Sequence, residues 1–352
     1  MKPFYKNKIK VIDIEPTSYC NAKCPHCMRE SRGGDYSFFK QVNLSKDFFE
    51  IYFSKDVVKH ADMVSFSGNI GEPAMNKYLL DIIKWFRSHN PEIFVEIYTN
   101  GSVQKPSWWY ELGKLIGNNG NVIFALDGLE DTNHIYRVDV KWEQAMYNIK
   151  EFIRSGSVST WQFIPFKHNQ HQVEEAEALS KQLGFKNFKI KISHRTLLGQ
   201  PQHELNQVEM ATDSRFIHQG TPLNFSQMVQ TEKYLNSVKI TCHAIEQSNV
   251  YITADGLVFP CCHTASILLV DDNLLPIEYT WVKDAKNQLD KNEISLYKNT
   301  IEDIIKSPTF NRIKTSWNLE MNQGRNAICS AICGKCNNSS SLMEGLSNAK
   351  IN

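Results

Sequence analysis

The sequence predicts an α/β protein: a mostly parallel sheet covered by helices, followed by a smaller α+β module toward the C-terminus. Three observations predict it. From residue 11 to about residue 195, strand-like and helix-like segments alternate six times or nearly so, as in a parallel sheet with right-handed crossovers. From Ile240 onward the pattern changes to a hairpin and short helical pieces. The nine cysteines fall in two groups, three between residues 20 and 27 and six from residue 242 on. Alternation by itself fits either a doubly wound sheet or a partial (β/α)6 barrel.

The first strand covers Val11–Glu15. A helix follows over residues 44–59, with Phe48, Phe49, Tyr52 and Phe53 on one side. Met63–Ser67 is the second strand. Asn76 is placed to cap a helix whose Leu79, Ile82, Ile83 and Phe86 recur at helical spacing, and Asn90-Pro91 stops it. Ile93–Tyr98 is the third strand and Trp108–Ile116 the next helix. Val122–Leu126 is the fourth strand. Trp142, Ala145, Met146, Ile149 and Phe152 stripe a helix, with Gly156 beyond its end. Thr160–Ile164 is the fifth strand, Val173–Leu183 a helix, and Phe188–Ile192 the sixth strand. Residues 199–239 are polar and aperiodic, a linker or insertion between a first unit, 1–198, and a second, 240–345. In the second unit, Val250–Thr253 and Leu257–Phe259 form a hairpin around Asp255-Gly256. Residues 271–300 read as a further insertion, Ile301–Ile305 and Phe310–Trp317 as short helices, and residues 346–352 as a mobile tail.

Composition excludes several classes. Lys+Arg 39 against Asp+Glu 38 gives a formal net charge of +1, without the basic surplus of a nucleic-acid binder. No apolar h-region opens the chain and no apolar stretch spans a bilayer. The reading is a cytoplasmic protein with no membrane or nucleic-acid partner. There, clustered cysteines point to metal sites rather than disulfides.

Cys20-Asn21-Ala22-Lys23-Cys24-Pro25-His26-Cys27 places three thiols in eight residues directly after the first strand. They can hold a cubane iron–sulfur cluster by three corners, leaving one iron open. A Cys₃His zinc site is the alternative, although His26 is adjacent to Cys27, which makes joint chelation awkward. The spacing resembles the signature of radical S-adenosylmethionine (radical SAM) enzymes. That resemblance implies SAM on the open iron of a [4Fe–4S] cluster, a partial (β/α)6 barrel, and a cluster loop at the C-terminal ends of the strands. His26 stands where the family usually has an aromatic ring over the cluster.

Other segments extend the resemblance. Ser65–Pro73 is similar to the family's glycine-rich motif that receives the SAM amino group, which implies cofactor contacts from Gly68, Asn69, Gly71, Glu72 and Pro73. Tyr98-Thr99-Asn100-Gly101 resembles the family's third-strand ending and implies Asn100 at the cofactor. Ala125-Leu126-Asp127-Gly128 resembles a motif that implies Asp127 on the ribose hydroxyls, with Ala125 in place of the family's serine. His134-Ile135-Tyr136-Arg137 also has a family counterpart. Arg137 could fork onto a carboxylate of SAM or substrate and is the candidate catalytic residue; its alternative is a surface ion pair. Ile164 is a candidate for packing on adenine, although its aromatic strand reads equally as core. Arg195, after the sixth strand, is a further carboxylate-binding candidate. His168, His171 and His203 read as solvated.

Cys242, Gly256 and Cys261 match the opening of SPASM and twitch domains, extensions that hold auxiliary iron–sulfur clusters. Six late cysteines instead of seven resemble the shorter twitch form. The resemblance implies Cys242, Cys261, Cys333 and Cys336 as ligands of a second [4Fe–4S] cluster, with Cys262 and Cys329 spare. A zinc knuckle of the same four is the alternative.

The implied activity is radical SAM chemistry. An external one-electron donor of flavodoxin or ferredoxin type reduces the first cluster, and SAM splits to methionine and a 5′-deoxyadenosyl radical. The radical takes a hydrogen atom from the substrate, and the auxiliary cluster accepts an electron, a net oxidation. Such enzymes act on small polyols and aminocyclitols or on peptides. About ten residues precede the first strand, leaving no room for a peptide-recognition domain, so the expectation is a small polyol- or aminocyclitol-like substrate. Radical modification of a peptide or protein is the alternative, and a non-enzymatic zinc-binding interaction protein is a second.

Overall fold

The structure, a computed structural model, describes residues 3–30, 34–192, 208–216, 232–269 and 280–335. The strands β1 (Val11–Ile14), β2 (Met63–Phe66), β3 (Phe94–Thr99), β4 (Gly120–Ala125), β5 (Ser159–Phe163) and β6 (Asn187–Ile190) lie side by side and parallel. The helices between them are α1 (Lys46–Tyr52), α2 (Lys55–His60), α3 (Leu79–His89), α4 (Pro106–Ile116), α5 (Asn133–Tyr136), α6 (Trp142–Arg154) and α7 (Val173–Leu183). The C-terminal part adds α8 (Glu232–Ser237), β7 (Lys239–Ile240), α9 (His243–Gln247), β8 (Asn249–Ile252), β9 (Val258–Phe259) and α10 (Cys262–Ser266). It ends with α11 (Thr280–Asn287), α12 (Ile301–Ile304), α13 (Pro308–Ser316), α14 (Ala327–Cys333) and β10 (Gly334–Lys335).

Among the described residues the main sheet has eight strands in the order β6-β5-β4-β3-β2-β1-β8-β9. Its first and last strands, β6 and β9, do not pair with each other, so among the described residues it is an open, partial barrel rather than a closed one. The hairpin forms as its Asp255-Gly256 turn predicts, with Tyr251 opposite Phe259. Its placement was not predicted. β8 pairs in parallel with β1, Asp13 opposite Tyr251, so a hairpin expected in a separate module completes the sheet.

Each strand has two unlike faces. Ile12, Ile14, Val64, Phe66, Val95 and Ile97 are buried to 1 % exposure or less and pack with the apolar stripes of the helices, such as Leu79, Ile82, Ile83 and Phe86 of α3. Removing this surface from water is the main stabilising term. The alternate residues, Asp13, Ser65 and Glu96, are in register across β1, β2 and β3 and share the opposite face.

Two local expectations change. The single helix over 44–59 is two helices. Ser54 Oγ accepts a hydrogen bond from Val57 N (3.3 Å) and starts α2, because a serine able to cap offers the backbone a competing partner. Asn76 does not cap α3; Tyr78 occupies that position. Instead Asn76, with no exposed surface, donates from Nδ2 to Pro16 O (2.6 Å) and Leu44 O (2.8 Å) and accepts from Tyr78 N (2.8 Å). Elsewhere the signals act as read: Gly156 follows α6 at φ +90, a conformation favoured by glycine.

Asn76→Ala strands two buried carbonyls and one buried N–H. The expected loss is about 2–3 kcal/mol of stability, read as a lower urea midpoint with an unchanged slope.

Candidate active site and metal centres

The cysteine loop leaves the C-terminal end of β1 and is pinned from three sides. Lys23 N donates to Val138 O (3.0 Å), and Lys23 pairs with Asp139 at 2.9 Å. Asn21 Nδ2 donates to Ser102 Oγ (2.9 Å), and Asn100 Nδ2 donates to Asn21 Oδ1 (3.0 Å). Cys27 Sγ lies 3.7 Å from Asn69 O. Cys24, buried, packs with Ala22, Tyr136, Ile164 and Phe166, with Cys20 and Cys27 against that group. His26 is also buried, and its ring meets Tyr136 (5.8 Å) and Phe166 (5.6 Å) edge to face.

The glycine-rich turn after β2 is built around Glu72. This buried carboxylate accepts from Thr99 Oγ1 (2.5 Å), Asn100 N (2.7 Å) and Ala74 N (3.1 Å), while its own N–H donates to Tyr19 O (2.7 Å). Burial nevertheless pushes its pKa up, against those three donors and Arg137. A Cβ on Gly71 would lie 1.9 Å from Thr17 O. Glycine is therefore required where this turn crosses the start of the cysteine loop. Gly68, Asn69 and Pro73 belong to the same turn, with Asn69 Nδ2 at 3.4 Å from Tyr251 Oη.

Asp127 is engaged by the chain's own residues. It has no exposed surface; Oδ2 accepts from Arg137 Nε and Oδ1 from Ile164 N, both at 2.6 Å. So placed, it holds Arg137 and the Ile164 backbone. Arg137 is no surface ion pair. Its side chain is 15 % exposed, and Nη1 donates to Cys24 Sγ at 3.7 Å. Burial opposes its charge, but Asp127, Cys24 and Tyr136 outweigh that and push its pKa up. His168, read as solvated, stacks on Phe166 at 5.6 Å, and its pKa is pushed down by burial and then by His134 and His171. Arg195 lies outside the described residues.

At the second cysteine group, Cys242, Cys261, Cys329 and Cys333 line one cavity with Phe4, Pro260 and Trp317. Cys329, read as spare, is drawn in because α14 places Cys329 and Cys333 four residues apart, on one helical face. Cys336 lies outside the described residues. Cys262 borders the sheet interior, where its charged neighbours include Asp13, Glu15 and Lys191.

Both donor sets fit iron–sulfur clusters. Burial, then Cys261 and Cys333, pushes the Cys242 thiol up to about 12; burial, then Cys261, does the same to Cys333. Burial, Glu72 and the other two thiols of its loop also raise Cys20. Deprotonating these buried thiols together requires a positive group between them. Among the described residues, no three His, Cys, Asp or Glu side chains are close enough to share a single metal ion. All-thiolate donor sets suit an iron–sulfur cluster.

Sequence reading missed the lining between the two sites. Asp13, Glu15, Glu96, Tyr98 and Tyr251 influence one another there, with Lys189 acting on Glu96 and Lys191 on Asp127. Gln162 stands opposite Ala125, a polar side chain beside the position where the motif's serine is missing. The signal was the polar residue at every second position of otherwise apolar strands. Burial pushes Asp13 up to about 7, with Glu96 adding and Ser67 and Ser65 opposing. It pushes Glu15 up to about 8, against hydrogen bonds from Tyr251 and the Ile70 N–H.

Comparison with known proteins agrees with this geometry. The family model described as the radical SAM superfamily matches residues 14–183, and that of an iron–sulfur cluster-binding domain, SPASM, matches residues 242–337. None of the curated proteins matches the chain in sequence. Among solved structures, anSMEcpe with bound AdoMet is similar at a TM-score of 0.53 and 15% identity, over 95% of this chain and 89% of that one. Streptococcus suis SuiB bound to its precursor peptide SuiA is similar at a TM-score of 0.53 and 16% identity, over 78% of this chain. The match spans 65% of the SuiB chain, under two thirds of its length. At these identities the likeness is one of fold. No helix among the described residues is long and apolar enough to cross a membrane.

Glu15 holds a proton in the folded state up to about pH 8 that the unfolded chain releases near 4.5. Stability therefore falls as pH rises through that window. Glu15→Gln keeps the hydrogen-bonding shape and removes the loss. Its Tm is expected to match the wild type at pH 4.5 and to exceed it by roughly 5 °C at pH 8.5, in thermal melts of anaerobically prepared protein.

Proposed function

The chain is a member of the radical SAM superfamily with a C-terminal iron–sulfur cluster-binding domain, and from that premise we propose that it oxidises a small polar substrate, of polyol or aminocyclitol type, inside the open barrel. Its cofactors are SAM and [4Fe–4S] clusters. When bound, they supply radical abstraction of a hydrogen atom at one end of the interior and acceptance of an electron at the other.

The residues divide the work. Cys20, Cys24 and Cys27 hold the SAM-binding cluster. The backbone from Gly68 to Pro73 and the Asn100 and Ile164 positions border the SAM site, with Glu72 fixing the first against the second. Cys242, Cys261, Cys329 and Cys333 hold the second cluster, with Cys329 taking the place first given to Cys336. Residues 1–198 form the barrel unit and 240–345 the auxiliary unit, which lends β8 and β9 to the sheet. A flavodoxin- or ferredoxin-type donor supplies the starting electron.

The observation that carries the substrate reading is the interior itself. A closed parallel barrel fills its interior with apolar side chains. Here Asp13, Glu15, Ser67, Glu96, Tyr98 and Gln162 line it, on the face opposite the helices. Such a lining suits a molecule dense in hydroxyl or amino groups. The second reading, modification of a peptide, is supported by SuiB bound to SuiA and by anSMEcpe bound to the Cp18Cys peptide, both similar in fold. Anaerobic turnover separates them: a polyol and aminocyclitol panel is expected to stimulate 5′-deoxyadenosine release and gain a carbonyl. Stimulation by peptides alone favours the second reading.

Anaerobically reconstituted protein is expected to carry about eight irons per chain as two cubanes. Cys24→Ala abolishes SAM cleavage. Cys329→Ser loses about four irons, whereas Cys336→Ser keeps all eight. Zinc in place of iron, or the reverse pattern of iron loss, refutes the assignment.

A further inference from the structure

We propose that Arg137 is a positioning residue that raises the reduction potential of the cluster held by Cys20, Cys24 and Cys27. The guanidinium is held at both ends. Nε donates to Asp127 Oδ2 at 2.6 Å, and Nη1 donates to Cys24 Sγ at 3.7 Å. Asp127 is itself fixed by Ile164 N at 2.6 Å, and it has no exposed surface. The guanidinium carbon lies 5.3 Å from the Tyr136 ring centroid. This bracing leaves one N–H directed at the sulfur of a cluster ligand.

The sign follows from electrostatics. Reduction adds one negative charge to the cluster. A buried cation donating to a ligand sulfur stabilises that charge, so the potential is less negative with Arg137 than without it. Asp127 offsets part of the cation's charge, but it sits on the Nε side, away from Cys24. It therefore aims the donor more than it cancels it. Low local dielectric strengthens the effect. The same two-point bracing explains why Asp127 is sealed from solvent: the carboxylate serves the arginine.

The inference rests on the reading that the first three cysteines hold a cluster, and the test separates the two. Wild type, Arg137→Gln and Arg137→Lys are loaded anaerobically, assayed for iron and sulfide, and titrated without SAM by EPR-monitored redox potentiometry. The N-terminal signal is the one that added SAM perturbs. In Arg137→Gln the reduction equilibrium is expected to fall at least tenfold, about 59 mV more negative for one electron. Arg137→Lys keeps the charge but cannot bridge Asp127 and Cys24 in the same way, so it falls between. If Arg137→Gln does not load, Arg137→Lys carries the test alone. Any fully loaded variant with the wild-type midpoint overturns the inference. Wild type that assembles no SAM-responsive cluster overturns the underlying reading instead.

Discussion

Glu72, buried, ties together the chain segments that leave three neighbouring strands, β1, β2 and β3. Its oxygens gather Ala74 N from its own turn, and Thr99 Oγ1 and Asn100 N from the end of β3, while its N–H reaches Tyr19 O in the segment entering the cysteine loop. Three donors on one carboxylate still do not offset the cost of burying it, and its pKa is raised. The position thus stores an unfavourable desolvation in exchange for geometry. Asn100, fixed by this contact, reaches Asn21 between the first two cysteines. The cysteine loop is therefore set by the ends of β2 and β3 as much as by the strand it follows.

The two faces of the strands account for fold and chemistry together. Alternation sends Ile12, Val64, Val95 and their neighbours against the helices, where burial stabilises the sheet. The same alternation obliges Asp13, Ser65 and Glu96 to face inward in one layer. An interior holding several carboxyls gains nothing from collapse, and because the described strands do not close into a ring the sheet has no need to fill it. The stability of the outer layer is what permits a polar space within.

Much of this was legible from sequence because the relevant signals are local. Strands, helices and the Asp255-Gly256 turn follow from periodicity and turn chemistry, and the cysteine spacing identifies its own chemistry. What was not legible depends on contacts distant in sequence. Asn76 looks like a cap until Pro16 and Leu44 are seen to claim it. Nothing near Asp127 in sequence shows that Ile164, just past the next strand, donates to it together with Arg137. That Cys329 lines the cavity of Cys242 and Cys261 was hidden by their distance in the chain, although its four-residue spacing to Cys333 was a usable signal. The hairpin was recognised, yet its attachment to β1 leaves no mark in either segment.

That attachment has the largest functional consequence. β1 runs directly into the loop bearing Cys20, and β9 runs directly into Cys261. Because β8 pairs with β1, with Asp13 opposite Tyr251, the two cysteine groups follow from one continuous sheet. Cys262 marks the junction: its neighbour in sequence lines the C-terminal cavity, while its own surroundings include Asp13 and Glu15. Had the hairpin stayed in a separate module, the two cysteine groups would be two unrelated metal sites. Pairing it to β1 ties both groups to one sheet, with Asp13 and Glu15 acting on Cys262 beside the second of them.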